Sequence, residues 1–524
     1  MLRIGCRCSA LNRVATMRAL RAVVIFAIGC SLAERGLVGC SSGGSGTSTS
    51  ALRVINDCGV VSESSRLGSD LATSGATCLT VAASGIEIDG AGHRISASQF
   101  AISWDPDVQP SNVTIHDVIS SAGLQIFGEN ADGNVIERST FGDVGIFRGD
   151  DNRIENSSMT RLVVNGQGAN DVHHAVIRNN EIAGDNIRLV EVLTTGDASL
   201  PCGRGDHELT GNHIIGHAAS AGAACDDSGS PCAGSSLGTA PSASCCTGCC
   251  NTVLPMLSGM CVPAAQCGAP APSSQPPDQI LLFLLCGNHM TISGNVIESD
   301  ADHPAHGIHI RDEADENIFE DNQIRIPLAI AGIIIASGSP PRQHPRANTF
   351  HGNIVETGAG GPALWVQAHD ATDNVFEQNL FQTTGDPSGW LDGVQNQVDH
   401  NTFYNGGVGP ALRLDDLRSP GNTFTSNVFA HSGQNTVDFA GNQPVISAYQ
   451  GDFNVFSNRA GSASFGGRSL AQWRSDTGQD ADSSEADPQF CSASGGDFKL
   501  EFSSPAVGAG KDGTTAGAFP AGCP

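Results

Sequence analysis

Lysine is nearly missing from this chain: Lys499 and Lys511 are the only two, and both fall close to its end. Chemistry that needs a lysine base in the body of the chain is therefore disfavoured, while an arginine or histidine base stays open. Positive charge is scarce in general, with 27 Lys+Arg against 54 Asp+Glu and a formal net charge of −27. This balance repels nucleic acid, so no nucleic-acid partner is expected, and it repels a bare polyanion as well. A polyuronate fits only if Ca²⁺ bridges carboxylates of protein and sugar. Long apolar runs are missing too. Beyond the leader the longest is Ile280-Leu-Leu-Phe-Leu-Leu285, a buried-strand length and well short of the roughly 20 residues a spanning helix needs. Aromatics make up 5%, with four tryptophans, so an exposed tryptophan is informative. Helical periodicity with caps is nearly absent outside the leader.

What is present is a repeat, Asn-x-(Ile/Phe)-x-x-Asn-x-(Ile/Phe). It is nearly complete at Asn317–Ile324, Asn348–Val355, Asn374–Phe381, Asn396–Phe403 and Asn422–Phe429, with degenerate copies starting at Asn134, Asn152, Ala175, His207 and Met290. Successive starts lie 18 to 32 residues apart, except for one gap of 83. Periods of this size mark one supersecondary unit stacked on the next. Apolar and polar positions alternate within each copy, which is strand period. Each copy is followed by turn residues and a second alternating stretch: Gly307-Ile-His-Ile310, Gly332-Ile-Ile-Ile335, Ala363-Leu-Trp-Val366, Ala411-Leu-Arg-Leu414. Two or three strands per turn wind into an all-β, right-handed parallel β-helix solenoid, rising about 4.8 Å per coil. The asparagines then stack. Their amides hydrogen-bond along the stack, and asparagine tolerates the left-handed conformation a corner needs.

The two ends read as caps. The opening carries Cys58, Cys78 and Gly85-Ile-Glu-Ile-Asp-Gly-Ala-Gly-His-Arg-Ile95. The tail carries Leu470-Ala-Gln-Trp473, Asp487-Pro-Gln-Phe490, Gly496-Asp-Phe-Lys-Leu500 and Ser504-Pro-Ala-Val-Gly-Ala-Gly510. With the repeats, these segments resemble the bacterial right-handed parallel β-helix proteins of the pectate-lyase-like group. The resemblance implies the architecture, but the group spans lyases, hydrolases, epimerases and proteins without activity. Polygalacturonase-like hydrolases of this group carry Asn-x-Asp, Asp-Asp, Gly-His-Gly and Arg-Ile-Lys. Here Asn130-Ala-Asp132, Asp150-Asp151, Ala305-His306-Gly307 and Arg325-Ile-Pro327 occur in that order. Several repeat copies lie between Asp151 and His306, so the pattern is not expected to form one site.

Residues 1–40 read as a leader: Arg18 and Arg21, a short apolar run, then Leu37-Val-Gly-Cys40. The last four resemble a bacterial lipobox, which implies lipidation at Cys40; a plain cleaved signal is the alternative. Residues 41–51 form a Ser/Gly tether. Then come the N-terminal cap and first coils (52–100), coils (101–200), a Cys-rich insertion (201–286), coils (287–460) and a C-terminal capping segment (461–524). The expected location is the outer membrane or cell surface, held by the lipid alone, or the secreted fraction. Export makes disulfides the expected fate of cysteine, with Cys58–Cys78 and Cys491–Cys523 bracketing the caps. The Cys245-Cys-Thr-Gly-Cys-Cys250 cluster has zinc-like spacing, but a disulfide knot is the favoured reading.

Ionisable residues are densest in Asp300-Ala-Asp-His-Pro-Ala-His-Gly-Ile-His-Ile-Arg-Asp-Glu313. Strand alternation turns Ile308 and Ile310 inward and His309 and Arg311 outward. His309, Arg311, Asp302 and His306 are candidate acid/base groups. Asp300, Asp312 and Glu313 are candidate ligands for a hard cation. Stacked in register, the outward position of His309 continues to Ile334, Trp365 and Arg413; that of Arg311 continues to Ala336, Gln367 and Asp415. Trp365, Gln367, Arg413 and Asp415 then suit a sugar, the aromatic face on the ring and polar groups on its hydroxyls. The alternatives are a solvated turn and a tryptophan packed under a loop. Two functions follow: a monomeric surface protein that binds extracellular polysaccharide, with its cleavage as a lyase or glycoside hydrolase left open, or a non-catalytic structural or adhesion module.

Overall fold

A computed structural model describes residues 52–166, 172–194, 202–203, 205–218, 278–300, 303–336, 345–385, 387–415, 421–433, 435–439 and 443–523, with the short strands 248–250 and 261–263. Cys40, the tether, Asp302 and most of the Cys-rich insertion lie outside the described residues.

The described chain winds as a parallel β-helix. Sheet I has 15 strands, from Arg53–Ile55 to Gln450–Asp452. Sheet II has 16, from Gly59–Val61 to Arg468–Ser469. Sheet III has 11, from Ser158–Met159 to Ser484–Glu485. A three-strand sheet of Leu71–Ala72, Arg94–Ser96 and Ile119–Ser120 joins sheet III through the bridges Ile119–Thr140–Ser158. One full coil runs Thr291–Ser293 in sheet I, Val296–Ser299 in sheet III and Ala305–Arg311 in sheet II, then enters sheet I again at Ile318–Glu320. Nearly every pairing in these sheets is parallel, and such crossovers wind right-handed.

Two asparagine ladders flank sheet I, one at each corner. The longer runs Asn180, Asn212, Asn295, Asn322, Asn353, Asn379, Asn401, Asn427 and Asn454, all 2% exposed or less. From Asn212 onward, each Oδ1 accepts both the backbone N–H and the Nδ2 of the asparagine one coil earlier; Asn322 Oδ1 takes them from Asn295 at 3.1 and 2.9 Å. The other ladder joins Asn317, Asn348, Asn374, Asn396 and Asn422 in the same way. Ala175, His207 and Met290 interrupt it, yet two of the backbone donors there stay satisfied. Ala175 N–H donates to His207 Nδ1 at 3.0 Å, and Met290 N–H to Asn317 Oδ1 at 2.9 Å. Burial pushes His207 down to about 3, so it serves as a neutral acceptor.

The asparagines do not themselves take the left-handed conformation. The residue before nearly all of them does, as at Glu316 (φ 56°), Asp321 (φ 54°), Ala347 (φ 54°), Asp373 (φ 58°) and Gln378 (φ 56°). The buried amide holds the corner closed from inside, which stabilises an unfavourable φ in its neighbour.

Inward-facing residues fill the prism. Phe319, Phe350 and Phe376 stack at 4.5 and 4.8 Å between centroids, and Phe381, Phe403, Phe429 and Phe456 at 5.1 to 5.3 Å. The far end is closed by a helix, Leu470–Thr477, started by a Ser469/Gln472 capping box and stopped at Gly478 (φ 73°). Its Trp473 is fully buried on Phe439 and Phe465. Cys58–Cys78 and Cys491–Cys523 are bonded, as is a third pair, Cys202–Cys286, at the two ends of the cysteine-rich stretch. Within that stretch, Glu208–Thr210 and His213–Gly216 pair into sheets I and III, so these residues belong to the coils.

Candidate functional site: the outer face of sheet II

Sheet I keeps three residues per strand along its whole length, whereas sheet II strands range from two to seven. Side chains on the outer face of sheet II line up across coils by the parallel register. One line runs Glu191, Phe283, His309, Ile334, Trp365, Trp390, Arg413, Asp438.

This differs from the sequence expectation by one coil. The Gly389–Leu391 strand lies between those of Trp365 and Arg413, and inserts Trp390 into the line. The next turn position correspondingly gains Asp392 between Gln367 and Asp415.

A groove of ≈ 580 Å³ opens on this face, lined by His309, Arg311, Ala336, Trp365, Gln367, His369, Trp390, Asp392 and Asp415. The structure thus gathers His309, Arg311, Trp365, Gln367 and Asp415, and adds His369, Trp390 and Asp392, which sequence reasoning missed. Arg413 sits beside them, its guanidinium 4.5 Å from the Trp390 ring centre and its Nε 3.0 Å from Asp415 Oδ1.

The tryptophans are arranged otherwise than a sugar platform requires. Trp365 and Trp390 stack on each other, 5.1 Å apart and inclined by 19°. Ile334 packs against Trp365, and Arg413 covers Trp390. The π-faces are therefore largely occupied within the protein. What the pair offers the groove is edges, and Trp390 Nε1 is a buried donor with no partner.

His309 sits at the upper end. Burial pushes it down to about 3, and His306, Arg311 and Arg188 add to the effect, so it is neutral at ordinary pH. Both of its ring nitrogens are buried without partners. His306 lies 5.3 Å away, is itself buried, and is also pushed down by burial. Its strand approaches the next coil closely at Gly307, where any Cβ would collide with the Gly332 carbonyl. Phe283 meets the His309 ring edge-on at 5.4 Å, and Arg188 lies over Phe283 at 4.1 Å. At the lower end, His369 Nδ1 is 3.8 Å from Asp392 Oδ2, with the carboxylate 7% exposed and the imidazole 49%. Asp415 N–H donates to Asp392 Oδ1 at 3.3 Å.

The expected cation set does not assemble. Asp300 precedes the seven-residue strand Ala305–Arg311, whereas Asp312 and Glu313 follow it, so opposite edges of sheet II, about 20 Å apart, separate them. Asp300 pairs with His217 at 3.1 Å, Asp312 is buried with φ 57°, and Glu313 accepts the Cys202 N–H at 3.3 Å. The hydrolase-like pattern also separates. Four strand spacings lie between the Asp143–Phe147 strand before Asp150 and the strand holding His306, about 19 Å. Among the described residues, a metal-type grouping occurs elsewhere: Asp89, His116 and Asp117 on sheet I. Its acids are already paired, Asp89 with Arg66 and Asp117 with Arg138, each at 3.2 Å. No helix among the described residues is long and apolar enough to cross a membrane.

Comparison with known proteins follows this geometry. Residues 282–453 match the family described as right handed beta helix region. Among solved structures, the A-module of a mannuronan C-5 epimerase from Azotobacter vinelandii is similar at 11% identity, with 82% of this chain and 92% of that one covered and a TM-score of 0.34. A mannuronic acid specific family 6 polysaccharide lyase from human gut microbiota is similar at 9% identity, covering 83% and 85%, TM-score 0.37. The tailspike protein of an E. coli bacteriophage is similar at 12% identity, covering 82% and 73%, TM-score 0.33. Curated proteins contain no match.

Proposed function

We propose that this protein is exported and binds an extracellular polysaccharide in the groove on sheet II, where it also cleaves the chain. The observation that carries the reading is the groove itself. Proton-transferring groups (His369, Asp392, Asp415) and uncharged hydrogen-bonding groups (His309, Gln367, Trp390) line one open trough that runs across successive coils. A trough across coils suits an extended polymer, which occupies several coils at once.

Cleavage needs one group to give a proton to the leaving oxygen and another to take one from water or from a sugar carbon. Asp392 and Asp415 stand on neighbouring coils, and His369 stands beside Asp392. Arg413 Nε lies 3.0 Å from Asp415 Oδ1. Lysine takes no part, since neither lysine lies in the groove. The leader's Leu37-Val-Gly-Cys40 supports tethering through a lipid at Cys40.

Binding without cleavage is the second reading. The 3.8 Å gap between His369 and Asp392 favours it, being too long for a hydrogen bond. A glycan panel assayed for reducing ends and for 4,5-unsaturated products decides between them. The expected result is product from wild type, lowered at least 100-fold in Asp392→Asn and lowered in His309→Ala. Binding with no product from any glycan would leave the adhesion reading.

A further inference from the structure

The charged side chains of the groove each have an opposite charge beside them. Arg413 Nε is 3.0 Å from Asp415, Arg311 Nε is 3.9 Å from Asp312, and His369 Nδ1 is 3.8 Å from Asp392. Farther along the same face, Arg161 and Arg188 both pair with Glu191, whose side chain is 4% exposed.

The groups that lack partners are uncharged. They are both ring nitrogens of His309, Nδ1 of His306 and Nε1 of Trp390. A neutral imidazole offers one donor and one acceptor, and an indole N–H is a donor. A sugar hydroxyl, which donates and accepts through one oxygen, answers both. A uronate carboxylate only accepts. The indole and imidazole N–H groups could meet it, but the imidazole acceptor would stay unpaired and a countercharge would have to come from an existing pair, in the field of a protein with net charge −27.

Resting on the saccharide reading above, we propose that the groove selects an uncharged glycan over a polyuronate, with His309 and Trp390 hydrogen-bonding its hydroxyls. The apolar side chain of Ile334 and the tryptophan edges then face the C–H surface of the sugar rather than its charge.

Calorimetry on the intact chain tests this with oligosaccharides of galactomannan, xylan and mixed-linkage glucan, and with oligogalacturonate and oligoalginate. Each is run at 50 and 500 mM NaCl, with EDTA and again with Ca²⁺. The expected result is binding to a neutral oligosaccharide, with affinity changing less than about twofold between the two salt concentrations. Trp390→Phe keeps the ring stack, checked by near-UV circular dichroism, and should weaken that binding about fivefold, the worth of one neutral hydrogen bond. Stronger binding to a uronate, whether salt-sensitive or Ca²⁺-dependent, overturns the selectivity and leaves the saccharide groove standing. Equal binding of both classes, or no change in Trp390→Phe, also overturns it. Failure of every oligosaccharide to bind at millimolar concentration brings down the saccharide reading as well.

Discussion

Replacing Asn322 by alanine tests what holds the coils in register. The side chain is completely buried and makes four hydrogen bonds. Nδ2 donates to Ile292 O at 2.8 Å and to Asn353 Oδ1 at 2.9 Å. Oδ1 accepts from Asn295 N at 3.1 Å and from Asn295 Nδ2 at 2.9 Å. The truncation leaves two buried donors of Asn295 without acceptors. Asn353 Oδ1 keeps the Asn322 backbone N–H at 3.1 Å, so the damage falls mainly on one side of the lesion. Each orphaned donor costs about 1–3 kcal/mol, and loss of the bond to Ile292 adds to it, so the total comes to about 3–5 kcal/mol. That is a large share of the roughly 5–15 kcal/mol that stabilises an ordinary domain. Asn322→Asp is the sharper companion. It keeps an acceptor for Asn295 but turns a carboxylate toward two other acceptors, Ile292 O and Asn353 Oδ1. It should be as damaged as the alanine variant at pH 7 and partly recover near pH 4, where a protonated carboxyl can donate again. Urea unfolding followed by circular dichroism gives the totals. Hydrogen exchange over residues 291–324 shows whether the loss is local, as stacked repeats predict. A loss below about 1 kcal/mol for alanine, or an aspartate variant as stable as wild type at pH 7, would refute the ladder as the stabilising element.

Three further outcomes follow from the same physics. Burial disfavours the charged form of His116, but Glu87 at 2.9 Å, Asp117 at 2.8 Å and Asp89 at 3.7 Å outweigh it and raise its pKa. Stabilisation by a raised histidine is complete below the unfolded value of about 6.5 and is lost as pH rises through the higher folded value. Exchange protection of residues 87–116 should therefore fall on the alkaline side in wild type, and His116→Gln should flatten that dependence. Breaking Cys58–Cys78, which closes a separation of 20 residues, should cost about 3 kcal/mol. Thermal unfolding with limited proteolysis should place the loss at the N-terminal coils and leave the groove intact. Asp480 is held at the C-terminal cap by Trp473 Nε1 at 3.0 Å and Ser483 Oγ at 2.7 Å. Asp480→Asn turns an amide N–H toward a donor and should destabilise the cap by about 2–4 kcal/mol, read as a lower urea midpoint.

Much of the fold was legible because its signals are local and repeated. An asparagine, two residues on an aliphatic or phenyl group, and the same again three residues later describe one strand of sheet I and its two buried corners. The conformation of the corners was not legible, because the left-handed residue is Asp321 in one coil, Ala347 in another and His400 in a third. No residue type marks it; the asparagine after it does. In the site, alternation brought out His309, Arg311 and Trp365. The Trp390 coil was hidden because its strand, Gly389–Leu391, carries glycine where the strands on either side carry Leu364 and Leu412, which breaks the apolar alternation. His369 and Asp392 lie in turns, where no periodicity operates, and only coil register brings them together. The burial of His309 depends on Phe283 and Arg188, which belong to earlier coils, so its neutral state could not be read from its own segment.

The two faces of the solenoid divide the work. Sheet I holds three residues per strand in every coil and carries both asparagine ladders, so a change there propagates into register. Sheet II carries no ladder, and its strands vary from two residues to seven. Insertions at its edges therefore cost little in register, because the far corners hold each coil independently. The shorter ladder is broken at Ala175, His207 and Met290, while the other ladder runs through the same coils unbroken at Asn180, Asn212 and Asn295. One intact ladder suffices to hold those coils, which leaves the opposite face free to carry a buried neutral histidine pair, a tryptophan stack and paired charges at positions that a uniform repeat would not tolerate.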